Sequence, residues 1–317
     1  MPELGFALSS EDHPPNELVR QAVVAERAGF TFCLISDHYH PWIDAQGQSP
    51  FVWSTLGGIA QATEKIRVGT GVTCPMIRIH PAIVAQAAAT VASMFGGRFF
   101  LGVGSGENLN EHVLGDRWPL PDERLEMLEE AVEVMRLLWR GGEQTHRGKH
   151  YTVDHARVYT LPDDEIEVYV AAAQPKAAEL GGRIGDGFIS TSPDGDVVRA
   201  FDKGGGSGKQ KLGMMHCAYD TDAKKGLSRA TKLWPNLALQ GPLGQELARP
   251  ADFEASAEMV DEEDVAKSTP CGPDPEPYLK LIGEYADAGF THVYMHQIGD
   301  NQDEFVAFAA KELMPKL

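Results

Sequence analysis

The sequence predicts an α/β chain closed into a (β/α)8 TIM barrel, and three observations carry that expectation. Short runs rich in β-branched and aromatic residues alternate with longer amphipathic stretches about eight times, the pattern of a parallel sheet with crossover helices. The length, 317 residues, suits eight such units closed into one barrel domain with insertions better than an open sheet. A joint also recurs: Ala28-Gly29-Phe30-Thr31 returns as Ala288-Gly289-Phe290-Thr291, and Gly185-Asp186-Gly187-Phe188 is a looser copy. Each copy falls where a helix is expected to stop and a strand to start. A left-handed glycine ends the helix there, and the following aromatic becomes the first core residue of the strand.

The elements follow in order. A strand over 4–8 leads to a helix over 15–28, and a strand over 32–36 to a helix over 51–63. A strand over 66–70 precedes a helix over 81–94 with a long Ala/Val face. A strand over 99–103 precedes the strongly periodic helix at 122–140. Strands over 168–172 and 187–191 flank a helix over 175–184. A strand over 212–219, a helix over 274–288, a strand over 292–296 and a helix over 303–313 complete the series. Three segments exceed a minimal barrel. Residues 104–121 form a long loop after the fourth strand. Residues 143–162 read as a hairpin, because Tyr151, Val153, Val158 and Tyr159 favour strands. Residues 239–269 are acidic and hold Pro242 and Pro250. Barrels of this kind carry their sites at the C-terminal ends of the strands, so the loops there are the ones to read.

Composition excludes several functions. Lys plus Arg number 28 against 46 Asp plus Glu, a formal net charge of −18. A duplex nucleic-acid binder needs a basic face, and an anionic membrane repels an acidic protein. No run of about 18 apolar residues offers a membrane span. Met1-Pro2-Glu3-Leu4-Gly5 has no basic stretch ahead of an apolar one, so no signal peptide is expected. Cys33, Cys74, Cys217 and Cys271 are far apart and form no C-x-x-C pair, so a cytoplasmic protein with free thiols is expected.

Three strand ends carry chemistry. The second ends in Ser36-Asp37-His38-Tyr39-His40-Pro41-Trp42. His38 and His40 could be a zinc pair, but the later strand ends near Val168 and Gly187 add no histidine, so no metal is expected. A structural role for His38 is the other reading. The third strand runs into Gly69-Thr70-Gly71-Val72-Thr73-Cys74-Pro75, where glycines mark a bulge or a close backbone approach. The fourth ends in Gly104-Ser105-Gly106-Glu107-Asn108-Leu109-Asn110-Glu111. Its glycines let backbone approach a flat or anionic ligand. It is the wrong place for a dinucleotide fingerprint, which follows the first strand of its unit. Glu107 is either a solvated loop carboxylate or a proton-handling group.

Taken together, these segments resemble the deazaflavin (coenzyme F420)-dependent branch of the bacterial luciferase-like superfamily, near its glucose-6-phosphate and secondary alcohol dehydrogenases. The likeness rests on Ser36-Asp37-His38-x-x-Pro41-Trp42, on His80-Pro81-Ala82-x-x-Ala85-Gln86, and on Gly104-Ser105-Gly106-Glu107-x-x-Asn110-Glu111. It runs over 4–195 and resumes over 271–317. The resemblance implies F420 as cofactor, with Asp37 bonding its ring system and a cis peptide between Gly71 and Val72 behind the ring. Cys74, Ser105, Gly106 and Asn110 would line it. Ala173, Gln174, Lys176 and Ala177 would hold its phosphate at a helix start, with Arg183 a further source of charge. It also implies a homodimer, and hydride transfer to or from a small sugar or alcohol. His38 is assigned to the substrate hydroxyl, Glu107 to the ring side and Trp42 to substrate placement; the reverse assignment of His38 and Glu107 stays open.

The chain departs from the glucose-6-phosphate enzymes where they hold the sugar phosphate. A lysine expected after the sixth strand is Asp194, in Thr191-Ser192-Pro193-Asp194. A second, expected around 253–259, is Ala255 or Ser256, and an arginine expected near 280–283 is missing, with Lys280 close by. A neutral sugar or secondary alcohol is therefore the expected substrate, with Thr191 and Asp194 as its contacts. An FMN-dependent monooxygenase of the same fold is the alternative.

Overall fold

The computed structural model describes residues 1–239 and 241–317. The barrel strands are β1 (Glu3–Leu8), β2 (Phe32–Ile35), β3 (Arg67–Thr70), β4 (Phe99–Val103), β7 (Glu167–Ala171), β8 (Gly187–Ser190), β9 (Gln210–Cys217) and β10 (His292–Gln297). All pair in parallel, and β1 joins β10 on one side and β2 on the other, so the sheet closes. The outer helices are α1 (Pro15–Ala28), α2 (Val52–Ala62), α3 (Pro81–Phe95), α5 (Pro121–Trp139), α6 (Pro175–Ile184), α7 (Gly195–Phe201), α8 (Ala223–Leu233), α12 (Glu276–Ala288) and α13 (Gln302–Phe308). The barrel expectation therefore holds.

Strand alternation builds two cores. Leu4, Phe6 and Leu8 of β1 face the helices, as do Cys33, Ile35, Phe99 and Leu101. Ala7, Phe32, Leu34, Phe100, Tyr169, Ile189, Leu212 and Tyr294 fill the barrel interior. The period of two decides which side each residue joins.

The predicted insertions are structured. The 104–121 segment holds α4 (Asn108–Glu111) and a 3₁₀ turn at His112–Leu114. The 143–162 segment is the antiparallel pair β5 (Gln144–Arg147) and β6 (Thr152–Ala156), a hairpin as expected. The 239–269 segment carries α9 (Leu243–Glu246), α10 (Pro250–Ala257) and α11 (Glu262–Ala266); its residue 240 lies outside the described residues.

Gly29 and Gly289 end their helices at φ 100° and 101°, as the repeated joint predicted. Gly185 does not: its φ is −97°, an extended conformation. A Cβ there would lie 2.9 Å from both Gly181 O and Val170 Cγ2, so close packing, not backbone handedness, requires glycine.

Candidate active site

The mouth of the barrel is built from the loops that follow β1, β2, β3 and β4. After β2 the chain carries His38 and Trp42. His38 Nδ1 lies 3.1 Å from the carbonyl of His40. A carbonyl only accepts, so Nδ1 carries a hydrogen. Its Nε2 faces Glu11 Oε1 at 3.4 Å, with the His38 side chain 10% exposed and the Glu11 side chain 3%. Glu11 Oε2 accepts from Ser36 Oγ at 2.6 Å and from Ser9 Oγ at 3.0 Å. The Trp42 ring centre is 5.0 Å from that of His38 and 5.1 Å from that of Phe253 on α10. The 239–269 insertion thus packs against the loop that holds His38, and Asp44 N donates to Glu254 Oε1 at 3.0 Å.

His40 is turned away from His38. Its Nδ1 donates to Leu109 O at 3.0 Å, and its ring stacks on His112. Among the described residues no group of three or more His, Cys, Asp or Glu side chains is placed to hold a metal ion.

Asn110 ties two loops together. Its Oδ1 accepts from Tyr39 N at 2.8 Å and from His40 N at 3.3 Å, while its Nδ2 donates to Glu107 Oε2 at 3.4 Å. Glu107 is therefore aimed from the β4 loop by a residue that also sets the β2 loop, and it keeps solvent contact.

Beneath these loops lies a buried ion triad. Asp37 Oδ1 accepts from Arg78 Nη2 at 2.8 Å, and Asp37 Oδ2 accepts from Thr73 Oγ1 at 2.8 Å. Glu111 Oε2 accepts from the Arg78 backbone N–H at 2.8 Å, and its Oε1 is 3.5 Å from Arg78 Nε. Burial pushes the Glu111 carboxyl above the usual carboxylate range, against the pull of Arg78. Burial also opposes the charge of Arg78, yet Asp37 and Glu111 together hold its guanidinium above its ordinary value. Both oxygens of Asp37 are thus engaged within the protein. Arg78 and Glu111 were not singled out by the sequence, although Glu111 closes the β4 motif.

The floor is apolar and shaped by glycine. The Gly71–Val72 peptide is cis. Val72, Ala171 and Met214 cap the barrel interior and retain partial exposure. A Cβ on Gly104 would lie 2.8 Å from Val72 Cγ2, and one on Gly106 would lie 2.6 Å from Cys74 Sγ. Gly106 also has φ +75°, which only glycine adopts readily. Cys74 is buried, and burial drives its thiol well above the ordinary range, so it packs as a neutral apolar group. Gly106→Ala should therefore lower unfolding stability by about 1–3 kcal/mol through the strained backbone and the Cys74 contact. Thermal melts check this, and an unchanged melting temperature would refute it.

On the opposite wall, Ala173, Gln174 and Lys176 are exposed at the start of α6, and Ala177 is half-buried. No side chain caps the first turn of α6, which leaves its N–H groups open to an anion. Lys176 Nζ is 2.7 Å from Asp122 Oδ1, with both side chains exposed, so screening leaves that pair weak. Arg183 cannot reach this end: it sits in the last turn of α6 and is paired bidentately with Glu129. Ser105 lies half-buried between Gly104 and Gly106, and Thr191 is exposed after β8. Asp194 caps α7, with Oδ1 accepting from Asp196 N at 2.8 Å, which accounts for an acid at that position. Lys280 is on the outer face of α12 and pairs with Glu284.

Sequence reasoning missed the far side of the mouth. Asp12 Oδ2 accepts from Trp234 Nε1 at 2.8 Å and lies 3.6 Å from His296 Nε2. His296 Nδ1 is 2.8 Å from His216 Nδ1. Two cavities lie elsewhere. One of about 530 Å³ is lined by Arg136, Trp139 and Asp163. The other, of about 220 Å³, is at the N-terminal end of the barrel beside Glu3, Arg67 and His292. Barrel chemistry sits at the opposite end from the second.

Comparison with known proteins agrees with this geometry. The model of the Luciferase-like monooxygenase family matches residues 2–292. F420-dependent glucose-6-phosphate dehydrogenase of Nocardia farcinica (strain IFM 10152) is 36% identical, covering 99% of this chain and 98% of its own. The protein of that name from Segniliparus rotundus is 37% identical, with the same coverage. A solved F420-dependent secondary alcohol dehydrogenase, in complex with an F420-acetone adduct, superposes with a TM-score of 0.92 at 30% identity over 99% of both chains.

Proposed function

This chain belongs to the luciferase-like monooxygenase family, and within it we propose an F420-dependent dehydrogenase that exchanges hydride with the hydroxyl-bearing carbon of a neutral sugar or secondary alcohol. It is an F420-dependent oxidoreductase, in keeping with its relatives and with the residues that would receive the coenzyme. The half-exposed floor of Val72, Ala171 and Met214 suits a flat ring. Gly104 and Gly106 let the β4 loop pack closely on Val72 and Cys74 beneath that floor, and the uncapped start of α6 suits a phosphate. Asp37, Gly71, Val72, Cys74, Ser105, Gly106 and Asn110 would hold the ring side, and Ala173, Gln174, Lys176 and Ala177 the phosphate. When bound, deazaflavin supplies a ring carbon that accepts or gives hydride.

The observation that carries the reading is the placement of His38. Its Nδ1 donates to a carbonyl, its Nε2 lies 3.4 Å from the buried Glu11 side chain, and the Trp42 indole flanks the ring. Nε2 takes the proton of the substrate hydroxyl as the carbonyl forms, and Glu11 stabilises the resulting imidazolium. Trp42, braced by Phe253, supplies a face against which the substrate is placed. Glu107, aimed by Asn110, handles the proton on the ring side. Thr191 offers a hydroxyl to the substrate.

A neutral substrate follows from the charges nearby. Arg124 is paired with Glu246, Arg249 with Asp252 and Lys267 with Asp264. The Arg249 and Lys267 pairs are exposed and weak, so the neutral reading rests on Asp194, which stands where a phosphate would meet repulsion. No helix of the described residues is long and apolar enough to cross a membrane, and the setting we propose is a homodimer in the cytoplasm.

Fluorescence quenching titrations with F420 and with FMN test the coenzyme. Micromolar or tighter F420 binding without FMN binding is expected; binding of FMN alone would refute the reading. A turnover screen of neutral sugars, secondary alcohols and glucose 6-phosphate tests the substrate. Preference for glucose 6-phosphate would overturn the neutral class.

A further inference from the structure

Strand alternation places one more polar side chain in the mouth, and the chemistry above makes no use of it. On β9, Leu212 fills the barrel interior and Met214 belongs to the floor, so His216 stands on the same side two residues further on. Two residues of strand span about 6–7 Å, which lifts the ring above the plane where Val72, Ala171 and Met214 would meet a flat ligand. The buried side of the ring is held. His216 pairs in register with His296 of β10, and their Nδ1 atoms are 2.8 Å apart, so one ring donates and the other accepts. His296 is 2% exposed, and its Nε2 faces Asp12 Oδ2 at 3.6 Å. Asp12 Oδ2 accepts from Trp234 Nε1 at 2.8 Å. The Trp234 ring centre lies 4.4 Å from that of His296 and 5.9 Å from that of His216. Asp12, His296 and Trp234 thus position His216 from behind. Its other nitrogen, Nε2, bonds no group among the described residues, and the side chain keeps solvent contact. Burial, reinforced by His296, holds His216 well below the ordinary histidine range, so the ring is neutral.

We propose that His216 Nε2 binds a second hydroxyl of the substrate, on a carbon other than the reacting one, and so selects a sugar or other polyol over a simple secondary alcohol. The inference rests on the function proposed above and narrows its substrate class. A hydroxyl both donates and accepts, so it pairs with Nε2 whichever of the two rings holds the shared hydrogen. A carboxylate or phosphate only accepts, and a neutral ring offers it no charge. His216 also stands apart from the reacting group. His38 follows β2 and His216 ends β9, with β1 and β10 between them, so the two histidines face the mouth from walls three strands apart in a ring of eight. A hydroxyl at His38 and a hydroxyl at His216 therefore belong to different carbons. Thr191 supports the same class. It follows β8, whose Ser190 pairs with Gly213 of β9, and it shares the parity of the interior residue Ile189. It lies on the wall beside His216, and two hydroxyl-binding groups side by side suit neighbouring hydroxyls of one molecule.

Steady-state kinetics of the full chain with glucose and with 2-propanol make the first test. The parent enzyme should prefer glucose; preference for 2-propanol would overturn the proposal. In His216→Phe, which keeps a flat ring against His296 and Trp234, kcat/KM for glucose relative to that for 2-propanol should fall about tenfold. The loss should enter mainly through KM, because the bond is made to a hydroxyl that does not react. His216→Gln retains a donor and an acceptor and should restore part of the ratio; it carries the test alone should His216→Phe not fold. Equal losses on both substrates mean a structural role and overturn the proposal, as does an unchanged ratio. A second readout needs neither coenzyme nor turnover. In the parent protein with ¹⁵N-labelled histidines, the His216 signals are identified by their loss in His216→Gln. Glucose should shift them and leave those of the exposed His155 in place, and 2-propanol at equal concentration should shift them less. His216 signals that ignore glucose would overturn the proposal. Signals that move in a protein that does not bind F420 would leave the hydroxyl site standing and fail only the function proposed above.

Discussion

His38→Asn is expected to lower kcat by about 10²–10⁴-fold with little change in F420 affinity, the range for removing a positioned general base. In free energy that is roughly 3–5 kcal/mol of transition-state stabilisation, at about 1.4 kcal/mol per tenfold. The argument is stereochemical. The His40 carbonyl fixes the hydrogen on Nδ1, so Nε2 is the nitrogen able to take a proton. Glu11, buried and 3.4 Å away, favours the charged ring that results. Asparagine fills part of the space but cannot hold that proton. Glu11→Gln should give a smaller loss, because the base remains while its counter-charge is gone. Steady-state kinetics with the best substrate from the screen, beside F420 titration, make the measurement. A kcat within about fivefold of the parent enzyme would remove His38 from the role of base.

Much of the barrel was legible because its strands are short apolar runs with clear turn signals. Phe32 and Leu34 against Cys33 and Ile35 already separate the interior from the helix layer. Helices α7 and α8 were not legible. Helix α7 is short and runs into Gly204-Gly205-Gly206, and a Cβ on Gly204 would lie 2.1 Å from Glu179 O, so tertiary approach sets that turn. Helix α8 carries three Lys and one Arg in eleven residues, and its inward face is made of Gly226 and Ala230 with Leu227 and Leu233 partly buried, so few large apolar residues mark it.

At the mouth, His38, Trp42 and Glu107 were legible because each sits in a continuous motif just past a strand. Glu11, Asp12, His216 and His296 were not, since closure of β1 onto β10 and of β10 onto β9 brings them together. A signal did exist. His216 shares the parity of the interior residues Leu212 and Met214, and His296 that of Tyr294, so both point inward at strand ends. Extending the alternation past each strand would have found them.

Arg78→Met should destabilise the fold by about 3–5 kcal/mol, the cost of stripping one partner from a buried ion cluster. Asp37 and Glu111 are each within 4% of full burial, and Arg78 is their shared cation. Methionine covers similar apolar volume, so the loss reports charge rather than a cavity. The cost also depends on pH. Burial already raises the Glu111 carboxyl above its ordinary value, and Arg78 is among the groups that restrain the rise. Without the guanidinium the folded-state value climbs further above the unfolded one. The folded variant then binds more protons than its unfolded chain, so its stability falls as pH rises through the raised value. Denaturant melts of parent and variant at pH 5.5 and pH 7.5 should therefore show the larger difference at the higher pH. An equal or smaller difference at pH 7.5 would mean that Glu111 stays charged without Arg78. Because Arg78 sets Asp37 under the β2 loop and Glu111 under the β4 loop, F420 affinity should fall along with stability. Position 78 thus couples the loop that presents His38 to the loop that presents Glu107.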